Sequence, residues 1–125
     1  MVAFSLWERA SKSPRLILTD PLNYLDTIGL VEKTRFVITD SGGVQEETTY
    51  LKIPCLTVKP NTERPITIIQ GTNKLTSIES LASDIDLIQN GYIRESTIPE
   101  MWDGKAADRV VSELIRYQDG VIGHR

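Results

Sequence analysis

Apolar residues fall along this chain in two rhythms. Short unbroken runs of β-formers alternate with longer stretches in which apolar residues recur every three or four positions. The run PRLILTD (14–20) reads as a buried strand, opened by Pro14 and closed at Asp20-Pro21. In NYLDTIGLVEKT (23–34), Tyr24, Leu25, Ile28 and Val31 mark one face of a helix, with Gly29 as its weak point. RFVITD (35–40) is a second strand, and its lack of alternation predicts cover on both faces, as in a parallel sheet. VQEETTYLK (44–52) is predicted helical, with Val44, Thr48 and Leu51 on one side. PCLTV (54–58) is a third strand, and KPNTERP (59–65) is a loop held by Pro60 and Pro65.

Beyond Pro65 the pattern predicts a helical turn up to Gly71 and a short strand near Lys74–Thr76. SIESLASDIDLIQNG (77–91) reads as a helix capped by Ser77 or Ser80 and stopped by Gly91. A connection follows over 92–102. The clearest helix is DGKAADRVVSELIRYQ (103–118), with Ala106, Ala107, Val110, Val111, Leu114 and Ile115 as its apolar set and Asp103 where an N-cap belongs. Strands alternating with helices give the α/β class, with a parallel sheet and right-handed crossovers. About four strands are visible, where a doubly wound domain usually has about five or six, so the sheet reads as a partial one.

The totals fit a single soluble domain over 1–125, with 40% hydrophobic and 25% charged residues among 125. A net charge of −3 gives no reason to expect nucleic-acid binding. Cys55, the one cysteine, cannot form an internal disulfide; in IPCLTV it reads as a small core residue, and a cytoplasmic setting fits. No run approaches the roughly 20 apolar residues of a membrane span. In MVAFSLWERASKSPR the apolar start is broken by Glu8 and the positive charge follows it, the reverse of a signal peptide. Residues 1–13 are expected to be an N-terminal extension, on which Phe4, Leu6, Trp7 and Ala10 share a helical face able to fold back as a cover. The single histidine, His124, reads as a solvated tail residue. No cluster of His, Cys and carboxylates has metal-ligand spacing, and no cofactor is implied.

The candidate chemistry lies in DSGGVQEE (40–47), between a predicted strand and the helix after it. In an open α/β sheet, ligands bind beyond the carboxyl ends of the strands. Gly42 and Gly43 would let a ligand approach the backbone, and the helix start offers free N–H groups and the positive end of the dipole. Together these make a phosphate site, to which Ser41 can add a hydroxyl donor. The same glycines also suit a plain tight turn. Glu46 and Glu47, placed in the first helical turn, suit the dipole without a ligand, or accept hydrogen bonds from ribose hydroxyls. No Walker loop and no G-x-G-x-x-G spacing is present. Arg64, on the loop after the next strand, could overhang the Ser-Gly-Gly turn and pair with a phosphate, or be a solvated surface residue. Asn61, Thr62 and Glu63 read otherwise as plain loop residues.

Taken as a whole, TDSGGVQEETTYLKIPCLTVKPNTERPITIIQGTNKL (39–75) strongly resembles the non-hydrolysing UDP-N-acetylglucosamine 2-epimerases. PEMWDGKAADRVVSEL (99–114) is similar to that family's final helix, and LTDPLNYLDTIGLVEKTRFVI (18–38) to its preceding strand, helix and strand. The resemblance implies a glycosyltransferase-B type architecture of two Rossmann-like domains with the active site between them. This chain then looks like the last part of the second, UDP-binding domain. By position, Ser41, Gly42 and Gly43 would hold the phosphates, Glu47 the ribose hydroxyls, and Arg64 the nucleotide portion. Where some members place a glutamine and a phenylalanine near the uracil, this chain has Leu22 and Thr27, so only backbone around Leu22 is carried over for the base.

The family inverts C2 of the sugar, interconverting UDP-GlcNAc and UDP-ManNAc by eliminating UDP to a glycal and adding it back. The resemblance places the carboxylates for that chemistry on the first domain, and a histidine and arginine motif at the start of the second. Neither matches a stretch of this sequence, so no catalytic residue is assigned. The expected ligand is UDP or a UDP-N-acetylhexosamine, and the expected partner is a second copy or a chain supplying the missing half. A free-standing nucleotide-sugar binding module and a glycosyltransferase donor domain are the alternatives; NTERP and WDGKAA favour the epimerase family over the latter.

Overall fold

The computed structural model describes the backbone of residues 2–92 and 94–122 and the side chains of 6–92 and 94–118. His124 and the side chain of Phe4 lie outside them. The chain divides into two compact units, Met1–Leu30 and Val31–Arg125.

The first unit carries helix α1 (Val2–Ser11), on which Leu6 and Trp7 are exposed. Helix α2 (Tyr24–Lys33) begins where the pattern predicts and runs across the boundary. Asn23 caps it, its Oδ1 accepting the Asp26 N–H at 3.0 Å. The strand expected over 14–20 does not form, and Ile17 is 90% exposed. A strand exists only by pairing, and no described strand pairs with this run.

The second unit holds a parallel sheet of three strands in the order β1 (Val37–Thr39), β2 (Cys55–Val58), β3 (Asn73–Thr76). The α/β class and parallel sheet stand, with one strand fewer than about four because 14–20 is unpaired. Helices α3 (Gly42–Leu51) and α4 (Pro65–Ile69) link successive strands, and α5 (Leu81–Gln89) and α6 (Ala106–Ile122) follow. The register pairs Thr39 with Thr57 and Thr57 with Leu75, so the carboxyl ends of the strands lie together.

Side chains alternate across a strand, and the hydrogen bonds show which face each one serves. Thr57 and Asn73 point toward α3 and α4, bonded to each other and on to Gln45 and Thr67. Lys74 and Thr76 point to the other face, where both bond Asp84 of α5. Gly91 ends the α5 segment with φ +87°, as its sequence position predicts. Helix α6 starts at Ala106, later than the sequence pattern implies. Asp103 sits just ahead of it, accepting the Lys105 N–H at 3.0 Å and pairing with Arg109 at 3.0 Å. The Arg109 guanidinium, helped by that backbone N–H, holds the Asp103 carboxyl down at about 2.

Candidate functional site

Helix α3 begins two residues earlier than its apolar pattern suggests. Ser41 is its N-cap, in extended backbone (φ −83°, ψ 131°), and both glycines lie inside the first turn. Glu46 and Glu47 therefore move down one turn, and the first turn carries no acidic residue. The dipole reading of that pair fails for this reason. The Ser41 side chain makes no cap bond. The Ser41 backbone N–H goes to Thr39 Oγ1 at 3.0 Å, and the Ser41 hydroxyl and the first-turn N–H groups have no side-chain partner among the described residues.

Neither glycine is explained by the fold. Neither has a positive φ. A Cβ added at Gly42 would come no nearer than 4.0 Å to Arg64 Cγ, and one at Gly43 no nearer than 3.9 Å to Ser41 Oγ, both ordinary contacts. Glycine costs a helix up to about 1 kcal/mol against alanine. Gly71 is the contrast: a Cβ there would lie 2.5 Å from the Thr67 carbonyl oxygen and overlap the Thr49 side chain, so packing alone requires it.

Arg64 is the residue that leans on this turn. Its Cγ is the nearest group to the space above Gly42, and its Nε meets Glu46 Oε1 at 2.9 Å. Positions four apart share a helix face, so Glu46 lies below Gly42 and Glu47 below Gly43. The Arg64–Glu46 pair is partly exposed on both sides (44% and 41%), so it is a weak pair that an incoming anion can displace. Glu47 is half-buried and makes no hydrogen bond or ion pair among the described residues. The structure thus brings Ser41, Gly42, Gly43 and Arg64 together at the carboxyl ends of β1 and β2, with Glu47 one turn along α3. Leu22 and Thr27 belong to the other unit.

Under this surface lies a polar layer that the apolar pattern does not show. The buried face of α3 is Gln45, Thr48 and Thr49, rather than Val44, Thr48 and Leu51. Gln45, Thr57, Thr67 and Asn73 have no exposed surface. Thr62 is no plain loop residue, since its hydroxyl donates to Gln45 Oε1 at 2.6 Å. The available signal was the polar residue set into each short element: Gln45 in α3, Thr67 in PITII, Asn73 in TNKLT.

Cys55 is buried, and burial pushes its thiol up against the opposing hydrogen bonds from Thr48 and Thr57, which fits the core reading. A cavity of about 270 Å³ opens near the amino-terminal residues of β2 and β3, lined by Cys55, Leu56, Lys74, Asp84, Tyr92 and Arg94 among others. It lies toward the strand ends opposite the Ser-Gly-Gly turn. No group of three or more potential metal ligands occurs among the described residues, and no described helix is long and apolar enough to cross a membrane.

Comparison with known proteins gives a consistent result. The family model described as UDP-N-acetylglucosamine 2-epimerase matches residues 2–115. The UDP-N-acetylglucosamine 2-epimerase of Methanocaldococcus jannaschii is 33% identical over 113 residues, covering 89% of this chain and 30% of that protein. The Bacillus subtilis protein of the same name is 37% identical over 109 residues, covering 82% of this chain and 29% of that protein. Among solved structures, the M. jannaschii UDP-GlcNAc 2-epimerase in complex with UDP-GlcNAc and UDP superposes with a TM-score of 0.78 at 33% identity, over 92% of this chain and 32% of that one. The Neisseria meningitidis UDP-GlcNAc 2-epimerase bound to UDP-GlcNAc gives 0.62 at 28% identity, over 92% of this chain and 33% of that one. The chain spans about a third of the length of the relatives it matches.

Proposed function

Since the chain belongs to the UDP-N-acetylglucosamine 2-epimerase family, we propose that it is the UDP-binding carboxyl-terminal portion of such an enzyme. In this reading the diphosphate sits on the first turn of α3, received by the Gly42 and Gly43 backbone N–H groups and the Ser41 hydroxyl. Arg64 exchanges its exposed carboxylate partner, Glu46, for a phosphate oxygen. Glu47 accepts hydrogen bonds from the ribose hydroxyls one turn further along.

One observation carries the assignment. Gly42 and Gly43 are required neither by φ nor by internal packing, at an uncapped helix start with an arginine over it. A helix that gives up stability there leaves room for something outside the fold. An anion at a helix N-terminus gains from both the free N–H groups and the dipole.

Acid–base groups for epimerisation would come from polypeptide beyond these residues, so catalysis requires a complementing portion. Val110, Val111, Leu114 and Ile115 form an exposed apolar set on α6, and Ile38 of β1 is also exposed. They support association with a second copy or with the complementing portion. A cytoplasmic setting agrees with a nucleotide-sugar ligand.

Calorimetric titration with UDP, with CMP as control, tests the reading. Saturable UDP-selective binding is expected, weakened about tenfold or more by Arg64→Ala and by Glu47→Ala. Equal affinity for UDP and CMP, or a Glu47→Ala variant that binds as the parent does, would contradict it.

A further inference from the structure

Burying an amide or hydroxyl costs free energy unless it is hydrogen-bonded, and an apolar side chain fills the same volume without that cost. This unit nevertheless packs Gln45, Thr57, Thr67 and Asn73, all fully buried, between the sheet and helices α3 and α4. The bonds they make converge on one residue outside the layer. Thr57 Oγ1 donates to Asn73 Oδ1 at 2.6 Å. Asn73 Nδ2 donates to Gln45 Oε1 at 3.0 Å and to Thr67 Oγ1 at 3.1 Å. Thr67 Oγ1 then donates to the carbonyl of Arg64 at 2.7 Å. On the other branch, Thr62 Oγ1 donates to Gln45 Oε1 at 2.6 Å and accepts the Arg64 N–H at 3.0 Å.

Both polar groups of the Arg64 backbone are therefore tied to the buried layer, one through Thr62 and one through Thr67. Gln45 joins the two branches through its Oε1; its Nε2 has no partner among the described residues. Arg64 itself is exposed, in non-helical backbone (φ −122°, ψ 59°) directly before α4. Such a residue would otherwise be the mobile part of its loop.

We propose that Gln45 and Thr62 are positioning residues, which hold the Arg64 backbone so that its guanidinium stays over the Gly42 turn. Neither touches the ligand. Their contribution is orientation, fixed before the ligand arrives. One face of α3 then carries the proposed nucleotide contacts, and Gln45, pointing inward from the same turn, aims the arginine that completes them. The effect on binding rests on the reading of Arg64 as a nucleotide contact; the effect on Arg64 itself does not.

The test uses Thr62→Val, which keeps the shape and removes both bonds at the half-buried edge of the layer, with Thr62→Ser as the conservative variant and Gln45→Leu in the core. Hydrogen exchange is read at the Arg64 backbone N–H and at Arg64 Nε–H, which bonds Glu46. Exchange at both sites should be faster in Thr62→Val and near the parent rate in Thr62→Ser. UDP affinity should fall about tenfold in Thr62→Val, recover in Thr62→Ser, and show no further loss when Thr62→Val is added to Arg64→Ala. Unchanged Arg64 exchange in a folded Thr62→Val chain would overturn the proposal. So would an equal affinity loss in the Arg64→Ala background, which would mean a general structural effect. Should Gln45→Leu fail to fold, the Thr62 pair decides alone. A parent chain that does not bind UDP would overturn the nucleotide reading, and the exchange measurement would still decide the clamp.

Discussion

Helices α3 and α6 invert each other. The α3 sequence GGVQEETTYL has no clear apolar stripe, yet Gln45, Thr48 and Thr49 on it have no exposed surface. In α6 the stripe is the best in the chain, yet Val110, Val111, Leu114 and Ile115 are 58%, 54%, 63% and 54% exposed. The difference separates two things that periodicity joins. A repeat of 3.6 shows which residues share a face. Whether that face is buried depends on what lies against it, and on α3 the inward Gln45 is held by directional hydrogen bonds from Thr62 and Asn73. In the proposed reading Gln45, on the inward side of α3, serves the geometry of the turn above it, whereas the apolar side of α6 is exposed.

The comparison breaks most readily at Gly71, where the polar layer is tightest. Gly71→Val would drive side-chain atoms into the Thr67 carbonyl and the Thr49 side chain. A loss of about 2–3 kcal/mol is expected by urea denaturation. A loss below about 0.5 kcal/mol would mean that this layer is loosely packed. Leu114→Glu is the counterpart on α6. Its effect on the unfolding free energy of the dilute chain should stay within about 0.5 kcal/mol. Light scattering at high concentration should show association in the parent and its loss in this variant. A Leu114→Glu cost equal to that of Gly71→Val would place the α6 stripe in the interior and erase the contrast.

Much of the fold was legible in the sequence because its signals were local. The short β-rich runs matched β1 to β3, and the apolar spacing over 23–34, Gly91 and the α6 periodicity marked helices close to where they form. The strand expected over 14–20 failed because strand formation depends on a neighbour, which composition cannot supply. The start of α3 was missed by two residues because glycine argues against helix, and here Gly42 and Gly43 sit inside one. That same conflict between local preference and structure marks the candidate site. Ser41, Gly42, Gly43 and Arg64 were read from the pattern and do come together. Gln45, Thr62, Thr67 and Asn73 were not, because a polar residue that is buried looks in sequence like one that is exposed.

The central claim is that the open Gly42–Gly43 helix start receives the diphosphate. It is tested most directly by following backbone amide and Arg64 Nε–H resonances during titration with UDP. The account predicts that the largest saturable shifts fall on Gly42, Gly43 and Val44, accompanied by Arg64 Nε–H as it leaves Glu46. Saturable binding with the largest shifts around the cavity at Cys55, Tyr92 and Arg94, and the two glycine amides unmoved, would contradict it.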